Sequence, residues 1–254
     1  HHWSGPLLPP PVPGCAARDA LGKPLPAYNR GNILVGSDGL LYWAVVRADT
    51  VNASGGPERT SVHLMVSVDE GDTWDYRCPI AIDPRVGFNE TYLYETAGGD
   101  IVAFLRTADG TGAVPNAFAR SRDRGCSFEP VQNTGFVGHP HGVARLKDGR
   151  VFLAYGYRRE PYGIRARILN PECTDIVEAP EFIVRDDGGS TDLGYPWPLV
   201  FPDGRVLVVY YFNRKGDTRP AVAAPVKQDA GGVRFEGTTA HGGIRYIAGT
   251  WLRP

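Results

Sequence analysis

Methionine is almost missing from this sequence, and so is any imbalance of charge. A single Met in 254 residues, with few runs of Ala, Leu, Glu and Lys, argues against a helical protein. Lys and Arg number 27 against 28 for Asp and Glu, so the basic excess that would suggest a nucleic-acid partner is lacking. No apolar run approaches the roughly 18 residues that a membrane-spanning helix needs, and none is expected here. No signal peptide is visible. The compartment stays open, with a secreted or periplasmic one preferred. Cysteine is scarce and scattered: Cys15, Cys78, Cys126 and Cys173 form no C-x-x-C pair, which argues against a structural zinc site. No metal and no cofactor are expected. Two disulfides and simple burial as small apolar side chains both stay open for these thiols. The N-x-S/T sequons at Asn52 and Asn89 read as chance occurrences.

Turn formers are plentiful instead. Gly 32 and Pro 22 suit many tight connections between short strands. One stretch, Ser67–Trp74 (S-V-D-E-G-D-T-W), returns as Ser121–Phe128 (S-R-D-R-G-C-S-F), and both fit S-x-D-x-G-x-(T/S)-aromatic. Gly71 and Gly125 can take a positive φ, the Ser and Asp side chains can bond the turn's own amides, and Trp74 and Phe128 can plug into a neighbouring sheet. The pattern resembles the Asp-box of the sialidase superfamily. Around it runs a larger repeat. Gly31–Ser37, the turn Asp38-Gly39 and Leu40–Arg47 read as a hairpin. Similar hairpins surround Gly99, Gly149 and Gly204, so the turn glycines are 60, 50 and 55 residues apart. About 50 residues holding four strands is the size of a β-propeller blade. A β-sandwich is the alternative, but it does not require the period.

The expected architecture is all-β: a single β-propeller domain over 1–254. Residues 1–29 hold the end of a preceding blade and a connector, 30–85, 86–135 and 136–190 are blades, and 191–254 is a closing blade. In the later two units the box is lost, with Asn170–Thr174 and Asp229–Gly232 in its place. His1-His2 invites an expression-tag reading. However, H-H-W-S-G-P also reads as the tail of a box with Trp3 in the aromatic place, so that the chain begins inside a motif; the resemblance to six-bladed sialidase-type propellers then implies that the first two blades are lacking, or supplied by a partner fragment.

The inner hairpins carry a more specific resemblance. F-N-E-T-Y-L-Y-E-T-A-G-G-D-I-V-A-F-L-R, G-H-P-H-G-V-A-R-L-K-D-G-R-V-F-L-A-Y-G-Y-R-R-E-P-Y-G-I-R and D-L-G-Y-P-W-P-L-V-F-P-D-G-R-V-L-V-V-Y-Y are similar to the last three blades of six-bladed, sialidase-type glycoside hydrolases. The closing G-I-R-Y-I-A-G-T-W-L resembles that family's last strand. The resemblance implies a catalytic Glu at Glu90 and a carboxylate-binding Arg at Arg106, sixteen residues on. It implies a second such arginine at Arg158 or Arg159, an analogue of a third at Arg30, and a nucleophilic tyrosine at Tyr195. The family's acid has no convincing counterpart; Asp49 and Glu58 are the nearest offers.

This set is chemically coherent. A sugar acid carries a carboxylate on its anomeric carbon, and guanidinium groups grip carboxylates bidentately at any working pH. That carboxylate repels an anionic nucleophile, so a neutral tyrosine activated by a carboxylate base is the better attacker. The implied activity is a retaining exo-glycoside hydrolase on a terminal acidic sugar, with a glycan or glycoconjugate as its partner.

Each residue also has a plainer reading. Tyr195 alone is a buried ring with a satisfied hydroxyl, Glu90 a strand-edge carboxylate, and Arg106 a partner for Asp109. Asp192 either shapes the site or caps the D-D-G-G-S-T-D loop. His139 and His141 either bond sugar hydroxyls, serve as acid or base, or are structural. Trp43, Tyr157, Tyr162, Trp197, Tyr210 and Tyr211 read mostly as blade packing. Two rivals follow: a propeller glycosidase or lyase working through His139 or His141, and a propeller that binds glycan or protein without turnover.

Overall fold

The computed structural model describes residues 10–18, 22, 25, 29, 31–51, 57–108, 114–213 and 245–254. Arg30, Asp109, the His1–Trp3 motif, Asn52 and Asp229–Gly232 lie outside the described residues. Within them the chain forms four antiparallel sheets in sequence order. The first holds β1 (Ile33–Val35), β2 (Leu41–Val51), β3 (Pro57–Ser67) and β4 (Asp75–Ala81). The second holds β5 (Gly87–Glu95), β6 (Ile101–Ala108), β7 (Ala117–Ser121) and β8 (Gln132–Asn133). The third holds β9 (His141–Arg145), β10 (Val151–Tyr157), β11 (Gly163–Leu169) and β12 (Glu181–Arg185). The fourth holds β13 (Gly194–Val200), β14 (Val206–Asn213) and β15 (Arg245–Leu252).

Each strand pairs with its sequence neighbour, and each sheet packs face to face on the next. This is the propeller arrangement, and the period-2 alternation of the strands explains it. Ala44, Val46, Leu64 and Val66 of the first sheet meet Leu93, Ala103 and Leu105 of the second. The opposite face of the second sheet, with Tyr92, Tyr94, Val102 and Phe104, packs on Val143, Val151, Leu153 and Tyr155 of the third. Phe152, Ala154 and Ile164 then meet Val206, Val208, Tyr210 and Phe212 of the fourth. A sandwich would pair two sheets once; here three successive interfaces repeat.

The turn glycines fulfil the role expected of them: φ is +82° at Gly39, +91° at Gly99, +89° at Gly149 and +84° at Gly204. In the first box Thr73 donates from its amide to Asp69 Oδ1 at 2.9 Å and from its hydroxyl to Oδ2 at 2.6 Å. Ser127 repeats both bonds to Asp123 at 2.9 and 2.6 Å. The box also holds the residue before its glycine left-handed, Glu70 at φ +58° and Arg124 at +54°. In the third sheet the box motif is absent and Asn170–Thr174 stands in its place, as expected. Asn170 accepts the Thr174 amide at 3.2 Å and donates to the Thr174 hydroxyl at 2.7 Å, so an amide performs the clasp without the sequence signature.

Inner strands of adjacent sheets have no shared ladder, and side chains bridge them. Asn32 bonds both the amide and the carbonyl of Leu93 at 2.9 Å, and Asn29 does the same for Thr91 at 3.0 and 2.9 Å. These bonds hold the first sheet's entry against β5, the strand that carries Glu90.

All four cysteines are free thiols. Cys78 and Cys173 are buried, Cys15 is half-buried and Cys126 is exposed, so the apolar-burial reading holds for the first two.

Candidate active site

Glu90 and Arg106 prolong the face of the second sheet that Tyr92, Tyr94, Val102 and Phe104 bury against the third. The β5–β6 ladder loses register between Phe88 and Thr91, which is where Glu90 sits. Glu90 as a residue is 6% exposed, and its carboxylate is doubly bonded. Arg106 Nη1 donates to Oε2 at 2.6 Å, and the Tyr195 hydroxyl donates to Oε1 at 2.5 Å. Arg106 Nε is buried without a hydrogen-bond partner among the described residues. The guanidinium thus orients Glu90 while keeping an unused donor.

Tyr195 reaches this position through an uncommon backbone. Its φ is +53°, after Gly194 at +130°, and the β13–β14 pairing slips between Gly194 and Trp197. A non-glycine residue in the left-handed region costs free energy, and such outliers persist where surrounding structure imposes them. The surroundings here are identifiable. Gly156, at the end of β10, presses against Gly194 and His139 so closely that a Cβ on it would lie 2.3 Å from His139 O and 2.8 Å from Gly194 Cα. His139 donates its amide to Gly156 O at 2.8 Å, which closes the junction.

A second network surrounds Tyr195 from its own sheet. The Tyr195 and Tyr211 rings stand 5.6 Å apart. Tyr211 donates to Asp192 Oδ1 at 2.9 Å and accepts from Arg158 Nη2 at 3.1 Å, while Arg158 Nε donates to Leu193 O at 3.2 Å. Burial pushes the Tyr211 hydroxyl up to about 12, against the opposing pull of Arg158 and with a further push from Asp192, so it stays protonated. Asp192 also pairs with Arg245, and Asn213 donates to its carbonyl at 2.5 Å. Of the two arginines the sequence left open, Arg158 is half-buried and turned to the tyrosine pair, whereas Arg159 is exposed.

His139 and His141 are both buried. His141 lies 3.0 Å by Nε2 from the amide nitrogen of the fully buried Asn116, between Phe104 and Tyr155. Burial, reinforced by His139 and Arg106, pushes its pKa down to about 3. A ring held neutral in this way is a poor proton donor near pH 7.

Of the two nearest offers for the acid, the Glu58 side chain lies outside the described residues and Asp49 is held elsewhere. Asp49 is bound by Ser61, Cys15 and Arg59 within the first sheet. Sequence reasoning missed Asn116, Asn213 and Arg245. Asn116 precedes the buried strand A-F-A-R, where a polar residue needs a partner, and that was its one available signal.

No family model matches the chain, and no curated protein does. Among solved structures, a protein of unknown function from Dyadobacter fermentans superposes with a TM-score of 0.81 at 46% identity, over 99% of this chain and 60% of that one. The GH93 α-L-arabinofuranosidase of Fusarium graminearum, at 16% identity, gives a TM-score of 0.53 over 85% of this chain and 60% of its own. The NanB sialidase of Streptococcus pneumoniae, at 17% identity, gives 0.52 over 74% and 28%. The fold is a sialidase-type propeller. This chain spans 60% of the length of the Dyadobacter protein. At these identities the two glycoside hydrolases are similar in fold alone.

Proposed function

We propose that this chain carries the reacting groups of a retaining exo-glycoside hydrolase of sialidase type, acting on a terminal acidic sugar. The observation that carries the reading is the bond from the Tyr195 hydroxyl to Glu90 Oε1 at 2.5 Å. In the reaction the tyrosine oxygen attacks the anomeric carbon as its proton passes to Glu90, and the bond to the leaving oxygen breaks, the leaving group taking a proton from solvent. Water then displaces the tyrosyl group, giving one proton to solvent, while Glu90 returns its proton to the tyrosine oxygen. Arg106 orients Glu90 in the free enzyme, and its side chain, 20% exposed, is a cation available to a substrate carboxylate. Arg158, held by Tyr211 and Leu193 O, supplies a second cation close to the tyrosine pair.

The histidine-centred rival is less well supported, because His141 is buried and neutral. A non-catalytic glycan binder has no use for a hydroxyl aimed at a buried carboxylate. The test is hydrolysis of 4-methylumbelliferyl sialic acid, whose leaving group departs without an enzymic acid. Turnover by the wild type that disappears in Tyr195→Phe supports the proposal. Wild-type turnover that survives Tyr195→Phe, or an absence of turnover on all acidic-sugar aryl glycosides, overturns it.

A further inference from the structure

We propose that Cys15, Asp49 and His63 form a divalent transition-metal site, best matched to zinc, that fastens the segment around Cys15 to the first sheet. The cluster is separate from the candidate active site. His63 and Ser61 lie on the β3 face that carries Met65, which packs with Val12 and Val45, while the other face packs on the second sheet. Cys15 is brought over this face by the bond from the Ala16 amide to Ala48 O at 2.8 Å.

The donor set is sulfur, imidazole nitrogen and carboxylate oxygen, with the three ligand atoms all within 4.8 Å of one another. With zinc bond lengths of about 2.0–2.3 Å, adjacent corners of a tetrahedron lie roughly 3.4–3.6 Å apart. Cys15 Sγ lies 3.3 Å from His63 Nε2 and 3.8 Å from Asp49 Oδ1. Ser61 Oγ hydrogen-bonds two of these ligands to each other, 2.7 Å from His63 Nε2 and bonded to Asp49, and lies 3.7 Å from Cys15 Sγ; the fourth corner is left to water. Asp49 is oriented from outside by Arg59 at 3.4 Å, the kind of supporting contact that metal-binding carboxylates have.

Proton accounting is consistent with the assignment. Ser61 gives its single hydroxyl proton to Asp49, so the proton in the 2.7 Å contact belongs to His63 Nε2. Binding a metal moves that proton to Nδ1, at the cost of a buried donor with no hydrogen-bond partner among the described residues, and releases the Cys15 thiol proton to solvent. Thiolate plus carboxylate cancel the charge of a divalent ion. This matters because Arg47, buried on the same face and cross-strand from Ser61, opposes an uncompensated cation.

The test uses the full chain, loaded with Zn²⁺, dialysed and analysed by atomic emission, and then exchanged into Co²⁺. One metal per chain and a near-ultraviolet thiolate-to-cobalt charge-transfer band are expected. The band should vanish in Cys15→Ser and persist in Cys126→Ser, whose thiol is exposed elsewhere. Chelation should lower the thermal midpoint of the wild type but not of Cys15→Ser. If Cys15→Ser does not fold, Asp49→Asn is read in its place by the loss of tightly bound metal. A metal-free wild type after loading, or a band that survives Cys15→Ser, overturns the proposal.

Discussion

Tyr195 and Glu90, 105 residues apart, share a hydrogen bond of 2.5 Å across two sheets that do not adjoin in sequence. The third sheet lies between them in the chain, and its Gly156 and His139 support the backbone that delivers the tyrosine. The proposed reacting pair is therefore a property of the packing of three sheets, and its consequences can be tested residue by residue.

Replacing Glu90 by Gln keeps the side-chain shape but removes the proton acceptor. Turnover on an aryl glycoside should fall by about 10²- to 10⁴-fold, the usual share of general acid–base catalysis. Far-ultraviolet circular dichroism should stay native. An unchanged rate would remove Glu90 from the reaction.

Arg158→Gln should act on binding more than on chemistry. Loss of a charge-assisted bond to a substrate carboxylate costs about 1.5–3 kcal/mol, or roughly a 10- to 100-fold rise in KM. Arg159→Gln should leave KM close to the wild-type value. Steady-state kinetics on an acidic and a neutral sugar separates the cases, because the neutral substrate should not register the Arg158 change.

Gly156→Ala should destabilise the protein by about 1–3 kcal/mol in urea unfolding. The added carbon meets backbone atoms of His139 and Gly194 that have no rotamer to change. Any folded fraction should also lose activity, since Gly194 sets the position of Tyr195. A variant as stable and as active as the wild type would refute this account of the junction.

The neutral, buried His141 makes stability fall in acid. Its ordinary pKa of 6.5 is depressed to about 3 in the folded state. Above pH 6.5 neither state is protonated and the residue adds no pH dependence. Below it the unfolded chain takes up the proton first, so stability falls with pH, with a slope approaching about 1.4 kcal/mol per pH unit, until the folded pKa is reached. Unfolding of His141→Gln between pH 3 and 6.5 should show a correspondingly flatter profile.

The Asn170 clasp gives a test of the concealed Asp-box. Asn170→Ala should cost about 1 kcal/mol, whereas Asn170→Asp should retain stability by recreating the Asp–Thr pair of the first box. Thermal unfolding of the two variants decides it. Equal losses in both would show that the clasp does not contribute.

What the sequence by itself determined is the local chemistry of turns and strands. Asp-Gly and Gly-Asp turns between apolar runs define hairpins because only glycine enters the required φ without strain, and four such turns at even spacing define the blades. The S-x-D-x-G motif works within a few residues and is therefore readable. Its third counterpart was not, because Asn170 clasps Thr174 with the hydroxyl bond reversed and without the motif's serine and glycine. Glu90 and Arg106 could be paired from sequence because one hairpin joins them. The rest was decided by tertiary structure. The backbone strain at Tyr195, the placing of Arg158 rather than Arg159 beside Tyr211 and the neutrality of His141 depend on how closely separate sheets approach. The convergence of Cys15, Asp49 and His63 does too, since it joins a connector to two strands whose separations follow no metal-binding spacing. Sequence spacing encodes contacts within a hairpin, whereas contacts between sheets arise only when apolar faces pack and bring distant polar edges together.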